Sequence, residues 1–203
     1  TIRYFKFPGD EITLYLTFKK ENSILWHQYE FGKITPHDLL LKRWQILLDR
    51  FYLKGLKAKE ISDYYTKCII QCIKPMPYAI ELCRFLKNKA HLVIITNGFA
   101  KTQEEKLRAS NLDQFFSHVI TSEDIGEPKP SPRIFSHAHE PFKHISKEKI
   151  LMVGDNFNAD IGGAHSYGID SCYFIPEKND ETHKSKSTSP SYLINCLSEL
   201  MKL

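Results

Sequence analysis

Apolar residues recur at helical spacing through the first third of the chain, and in short unbroken runs after it. Ile12, Leu14, Tyr15 and Phe18, leading on to Ile24, Leu25 and Trp26, predict a helix that Asp10 can cap and Gly32 can end. Thr35-Pro36 then offers an N-cap and a first-turn proline. The stripe Leu39, Leu40, Trp44, Leu47, Leu48 and Phe51 predicts a second helix, closed at Gly55. A third is expected over 59–73, with Ile61, Tyr65, Cys68, Ile69 and Cys72 on its buried side. Pro75 and Pro77 punctuate the chain, and the rhythm changes. Short apolar runs at 91–96, 118–121, 149–153 and 171–175 read as strands. Between them, 78–86, 101–110, 132–139 and 159–167 read as helices. The polar stretch 178–190 reads as a surface loop, and 192–201 as a closing helix.

Alternation of this kind predicts an α/β fold, a Rossmann-like parallel sheet with helices on both faces. The expected domains are 1–74, all-helical, and 75–203, α/β. The 203 residues are enough for one sizeable domain with an appendage. No apolar run is long enough to span a bilayer. Thr1-Ile2-Arg3-Tyr4 has neither an apolar core nor a cleavage site of a secretory leader, so none is expected. The net charge of +4 is scattered; it can help attract anionic substrates but says little about nucleic acid, and no nucleic-acid polymer is expected as a partner. Five cysteines without a CxxC pair suit small core residues and a reducing cytoplasm better than a metal site or a disulfide framework.

Three strand ends carry candidate chemistry, because ligands of open parallel sheets bind beyond the carboxyl ends of the strands. In the first, Val93-Ile94-Ile95 runs into Thr96, Asn97 and Gly98. Thr96 and the following backbone amides can hold phosphate oxygens, and Gly98 allows close approach of the backbone. The same residues also suit an ordinary turn. In the second, Lys129 stands between Pro128 and Pro130. A fixed ammonium there can neutralise a phosphate or a carboxylate, or simply be solvated. In the third, a buried strand delivers Gly154 and Asp155, and Asp160 follows at the start of the next helix. Two acids so placed suit Mg²⁺, one as a direct ligand and one for its waters; either can instead cap the helix.

In order, a Thr after a strand, a proline-flanked Lys and Gly-Asp-x-x-x-x-Asp resemble motifs two to four of the haloacid dehalogenase superfamily. The resemblance covers nearly the whole chain, and the helical first third looks like that family's cap. The stretches Leu25-Trp26-x-x-Tyr29-x-x-Gly32-x-Ile34-Thr35, Thr96-Asn97-Gly98-Phe99 and Ser122-Glu123-Asp124-Ile125-Gly126 look closest to its pyrimidine 5′-nucleotidase branch. The resemblance implies a Mg²⁺-dependent phosphomonoesterase whose substrate is a small phosphorylated metabolite, a nucleoside monophosphate first. It gives Thr96 the phosphoryl group, with Asn97 and Gly98 beside it. Lys129 takes the charge shared by phosphate and nucleophile. Asp155 binds the metal, and Asp160 supports its water shell or orients Lys129. Phosphoryl transfer needs mainly positioning and charge neutralisation, which such a set supplies.

The family's first motif, Asp-x-Asp-x-Thr, is not found in the sequence. The nearest string, Phe7-Pro8-Gly9-Asp10-Glu11-Ile12-Thr13, has Pro8 where the nucleophile belongs, so Asp10 is expected to be a helix cap. Without that motif the 203 residues alone are expected to be inactive. The motif's strand, central in the family's sheet, is expected ahead of Thr1, because its absence leaves two strand edges unpaired. Two alternatives stay open: a phosphatase for another metabolite such as a sugar phosphate, and an inactive phosphate-binding protein on the same scaffold. Trp26, Tyr29 and Trp44 are candidates for stacking on a base, or for packing within the helical domain.

Overall fold

A computed structural model describes residues 1–176 and 189–203. It divides into two compact units, Thr1–Ile73 and Lys74–Leu203.

The first unit is helical: α1 (Glu11–Glu30), α2 (Pro36–Arg50) and α3 (Ala58–Gln71). Each start follows from the local sequence. Asp10 accepts the Thr13 N–H at 2.8 Å and caps α1. Thr35 and Asp38 form a reciprocal capping box on α2, which begins with Pro36. Gly32 and Gly55, at φ 66° and 85°, take the left-handed turns after the first two helices. Leu14, Trp44, Leu47, Leu48 and Ile61 close a core with Phe7, and the Trp44 ring stacks on Phe18 at 4.6 Å. Trp44 is therefore core and not a platform for a base. Tyr29 is also buried, and it meets Trp26 edge-on at 5.9 Å. Ile12 and Tyr15 of α1 are exposed, because apolar residues lie on more than one side of that helix and only some of them face the core. One expectation fails at the margin. Cys72 is exposed because α3 has already ended at Gln71.

The second unit runs α4 (Ala79–Leu86), β1 (Val93–Thr96), α5 (Ala100–Ala109), β2 (His118–Thr121), α6 (Ser122–Ile125), α7 (Pro132–His139), β3 (Leu151–Gly154), α8 (Gly163–Tyr167), β4 (Asp170–Phe174) and β5 (Tyr192–Ile194). Every strand pair is parallel, and helices flank the strands, as the alternating pattern predicts. The expected helix over 159–167 begins earlier, as a wider helical turn over Phe157–Gly162 that leads into α8. The expected closing helix is instead β5 followed by a short 3₁₀ turn, Leu197–Lys202. Tyr192-Leu193-Ile194 is a three-residue run that gains strand geometry only by pairing with β4, so local periodicity does not reveal it. Of the expected loop 178–190, residues 178–188 lie outside the described residues.

β1 pairs with β2 in one sheet, and β3, β4 and β5 form another in that order. Among the described residues β1 and β3 thus each keep one unpaired edge. Yet Ile95 of β1, Ile120 of β2 and Met152 of β3 pack on one cluster, built on Ile134 and Phe135 of α7 and Ala164 of α8. A common helical layer therefore supports both sheets. On its other face β3 leaves Leu151 and Val153 exposed. Among the described residues no helix is long and apolar enough to cross a membrane.

Candidate active site

The three strand ends picked out by sequence form one bonded network. β1 ends at Thr96, and β3 ends at Gly154 with Asp155 just beyond it. Lys129, on the turn between α6 and α7, ties the two together. Its Nζ donates to Ile95 O of β1 at 2.8 Å and to Asp160 Oδ1 at 2.6 Å. An ammonium has three N–H groups, so one remains for a ligand. Lys129 is only 9% exposed and Asp160 4%. A lysine this buried is strongly disfavoured unless a carboxylate and further acceptors compensate, and both are present.

The Lys129 backbone is fixed as firmly. Asn97 Nδ2 donates to Lys129 O at 3.0 Å, and Asn97 Oδ1 accepts from Lys129 N at 2.7 Å. Upstream, Glu127 accepts hydrogen bonds from Ser131 Oγ and from Arg133 Nη1, the latter at 3.0 Å. These two donors hold the Glu127 carboxyl below its ordinary pKa, Ser131 contributing most.

Asp160 uses both oxygens: Oδ1 takes Lys129 and Oδ2 takes the Asn156 N–H at 3.0 Å. Gly154 makes this possible, since a Cβ there would lie 2.2 Å from Asp160 Oδ2. Neither aspartate caps the helical turn. That role belongs to Asn156, whose Oδ1 accepts from Asn158 N at 3.1 Å and Ala159 N at 2.9 Å. Asp155 is left exposed at the strand end.

Thr96 Oγ1 accepts from Gly98 N at 3.0 Å and from Gln103 Nε2 at 2.8 Å. Gln103 lies in the first turn of α5, whose leading N–H, that of Ala100, is bonded by Glu123 Oε2 at 2.7 Å. Nothing in the spacing of Gln103 distinguishes it from any polar helix residue, so local pattern does not single it out. Asn156 is an N-cap residue type directly before a helical stretch, but Asp155 and Asp160 are cap residue types as well, so the pattern does not choose among them.

Mg²⁺ is commonly held by one or two carboxylates, with waters and substrate phosphate completing the octahedron. Asp155 fits the direct role. Asp160, with both oxygens already engaged, fits at most the outer shell. Among the described residues no cluster of three metal-binding side chains exists, so a further oxygen ligand would have to come from elsewhere.

A hydroxyl at the end of β1, a buried lysine on a turn and two aspartates after β3 thus lie at one end of the parallel strands. A family model for haloacid dehalogenase-like hydrolases matches residues 9–168, and the chain belongs to that family. It is 26% identical over 186 residues to pyrimidine 5′-nucleotidase YjjG of Escherichia coli, covering 92% of this chain and 80% of the relative. It is 31% identical to the glyceraldehyde 3-phosphate phosphatase of Pyrococcus furiosus, over 90% of this chain and 75% of that one. The magnesium-bound structure of the HAD-hydrolase YfnB of Bacillus subtilis superposes with a TM-score of 0.88 at 28% identity, covering 99% of this chain and 86% of the other.

Proposed function

We propose that the protein is a Mg²⁺-dependent phosphomonoesterase acting on nucleoside 5′-monophosphates. The observation that carries this reading is Lys129: a buried lysine, held at backbone and side chain, with one N–H to spare at the strand ends. Such a group neutralises charge on a transferring phosphoryl group without having to reorganise. Thr96 binds a phosphoryl oxygen, and Asn97 holds Lys129 in place beside it. Gly98 leaves room for the Gln103 side chain beside Thr96. Asp155 holds the metal, which supplies further charge neutralisation, and Asp160 aims Lys129.

The nucleophile in this reading is an aspartate on a strand seated between the unpaired edges of β1 and β3. Its carboxylate attacks phosphorus as the ester P–O bond breaks, and the leaving alcohol takes a proton. Water then cleaves the aspartyl phosphate. The exposed apolar face of Leu151 and Val153 supports the presence of a further covering segment. The helical unit, residues 1–74 by the sequence reading, serves as the cap that selects substrate, and the five free cysteines suit a cytoplasmic setting.

A second reading, a sugar- or triose-phosphate phosphatase, is favoured by the likeness to the Pyrococcus enzyme. A panel of nucleoside monophosphates and sugar phosphates, assayed with the full-length protein with and without chelator, separates the two. Higher kcat/KM for nucleotides, abolished by chelation and restored by Mg²⁺, supports the first reading. Preference for sugar phosphates supports the second. Turnover of neither, with phosphate still bound, would leave a binding protein.

A further inference from the structure

The Thr96 hydroxyl is held in an unusual way. Its oxygen has two lone pairs, and both are occupied, one by the Gly98 N–H and one by the Gln103 amide. The hydroxyl hydrogen is thereby excluded from both directions and must point to a third. We propose that Gln103 is a positioning residue that fixes Thr96 as a hydrogen-bond donor to a phosphoryl oxygen of the substrate. This rests on the phosphomonoesterase reading of the site.

The two partners differ in what they control. The Gly98 N–H is backbone and always a donor. A side-chain NH₂ group is likewise donor-only, but its presence at this place depends on the sequence. Without it, one lone pair of Thr96 is free and the hydroxyl can rotate its hydrogen away from the ligand. Gln103 is well suited to hold its place. Its own N–H makes a helical bond of α5, to Phe99 O at 2.9 Å, so its backbone is fixed. Its side chain occupies the space above residue 98, and a Cβ there would meet Gln103 Nε2 at 2.2 Å. The φ of Gly98 lies outside the left-handed region, so its lack of a side chain serves space and not backbone conformation. Gly98 and Gln103 are therefore two halves of one device, and a change at either removes the same hydrogen bond.

The test is steady-state kinetics on the full-length protein, with inorganic phosphate as competitive inhibitor. Gln103→Ala is expected to lower kcat/KM and to weaken phosphate inhibition, each by about tenfold, the scale of one oriented hydrogen bond to an anion. Gly98→Ala should match it. In a Thr96→Val background Gln103→Ala should change kcat/KM by less than about twofold, because its effect passes through the missing hydroxyl. Gln103→Glu tests the direction of the bond. Its carboxylate accepts the hydroxyl hydrogen, so its activity relative to wild type should rise as the pH falls toward about 4.3, where a protonated carboxyl can donate again. An active wild type with equal Gln103→Ala losses in both backgrounds, or a pH-independent Gln103→Glu ratio, overturns this role for Gln103 alone. A full-length wild type that hydrolyses no phosphomonoester overturns both it and the function it rests on.

Discussion

Asn97 grips the Lys129 backbone from both directions, donating to its carbonyl at 3.0 Å and accepting from its N–H at 2.7 Å. The residue after Thr96 thus sets the position of a residue thirty-two places later. A backbone amide and carbonyl buried beside a charged group need partners, and here one side chain supplies both.

Replacing Asn97 with Ala leaves those two groups unsatisfied. The expected cost is about 1–3 kcal/mol of unfolding free energy. Asn97→Asp should fare no better, because a carboxylate oxygen would then face the Lys129 carbonyl. Chemical denaturation of the three proteins measures this. A loss for Asn97→Ala within about 0.5 kcal/mol, the range of an ordinary surface change, would mean the clamp contributes little.

Gly154 and Asp160 make a second such pair. A methyl group on residue 154 would sit 2.2 Å from Asp160 Oδ2 and 2.6 Å from its Cβ, so the aspartate has to move bodily. Lys129 would then lose its carboxylate while staying buried. Gly154→Ala is expected to lower kcat/KM by on the order of a hundredfold, the usual effect of misplacing a charged group by about an ångström. Kinetics of the full-length variant checks this, and near-normal kcat/KM would show that Asp160 does not govern Lys129.

The two pairs explain which parts of the site are legible in sequence. Thr96 and Asp155 lie at strand ends, Lys129 between prolines, and Asp160 at the start of the helical stretch after β3, where local pattern flags them. Their supports do not. Gln103 looks like any polar helix residue, and the motif that contains Gly154 does not reveal that its missing side chain admits Asp160. The fold divides in the same way. Capping by Asp10 and Thr35 and the strand ending at Thr96 are local and readable. β5 is not, because Tyr192–Ile194 becomes a strand only through its parallel neighbour β4.

Glu127 links the Lys129 turn to pH. Hydrogen bonds from Ser131 and Arg133 lower its pKa in the folded protein. The unfolded chain therefore takes up the proton first as the solution is acidified, and stability falls with pH across that window. The contribution is complete above the ordinary carboxyl value of about 4.3 and is lost as the pH drops through the lower folded value. Melting temperatures of wild type and Glu127→Gln should accordingly differ most above that pH and converge below it. Parallel curves down to strong acid would show that the ionised carboxylate does not brace the turn.

The cysteines differ enough in surroundings to predict an order of reaction. Cys172 is fully buried in β4, and burial, helped by the charge of Glu199, pushes its thiol up to about 11. Burial also raises Cys83. Cys72 is exposed just past the end of α3. At pH 8 a thiol near 11 holds roughly two orders of magnitude less thiolate than one near the ordinary value of about 8.5, and thiolate is the reacting species. Iodoacetamide treatment of the native protein, followed by peptide mass spectrometry, should label Cys72 first. Cys83 and Cys172 should stay unmodified until denaturant is added. Labelling of Cys172 at the rate of Cys72 under native conditions would mean that β4 opens to solvent.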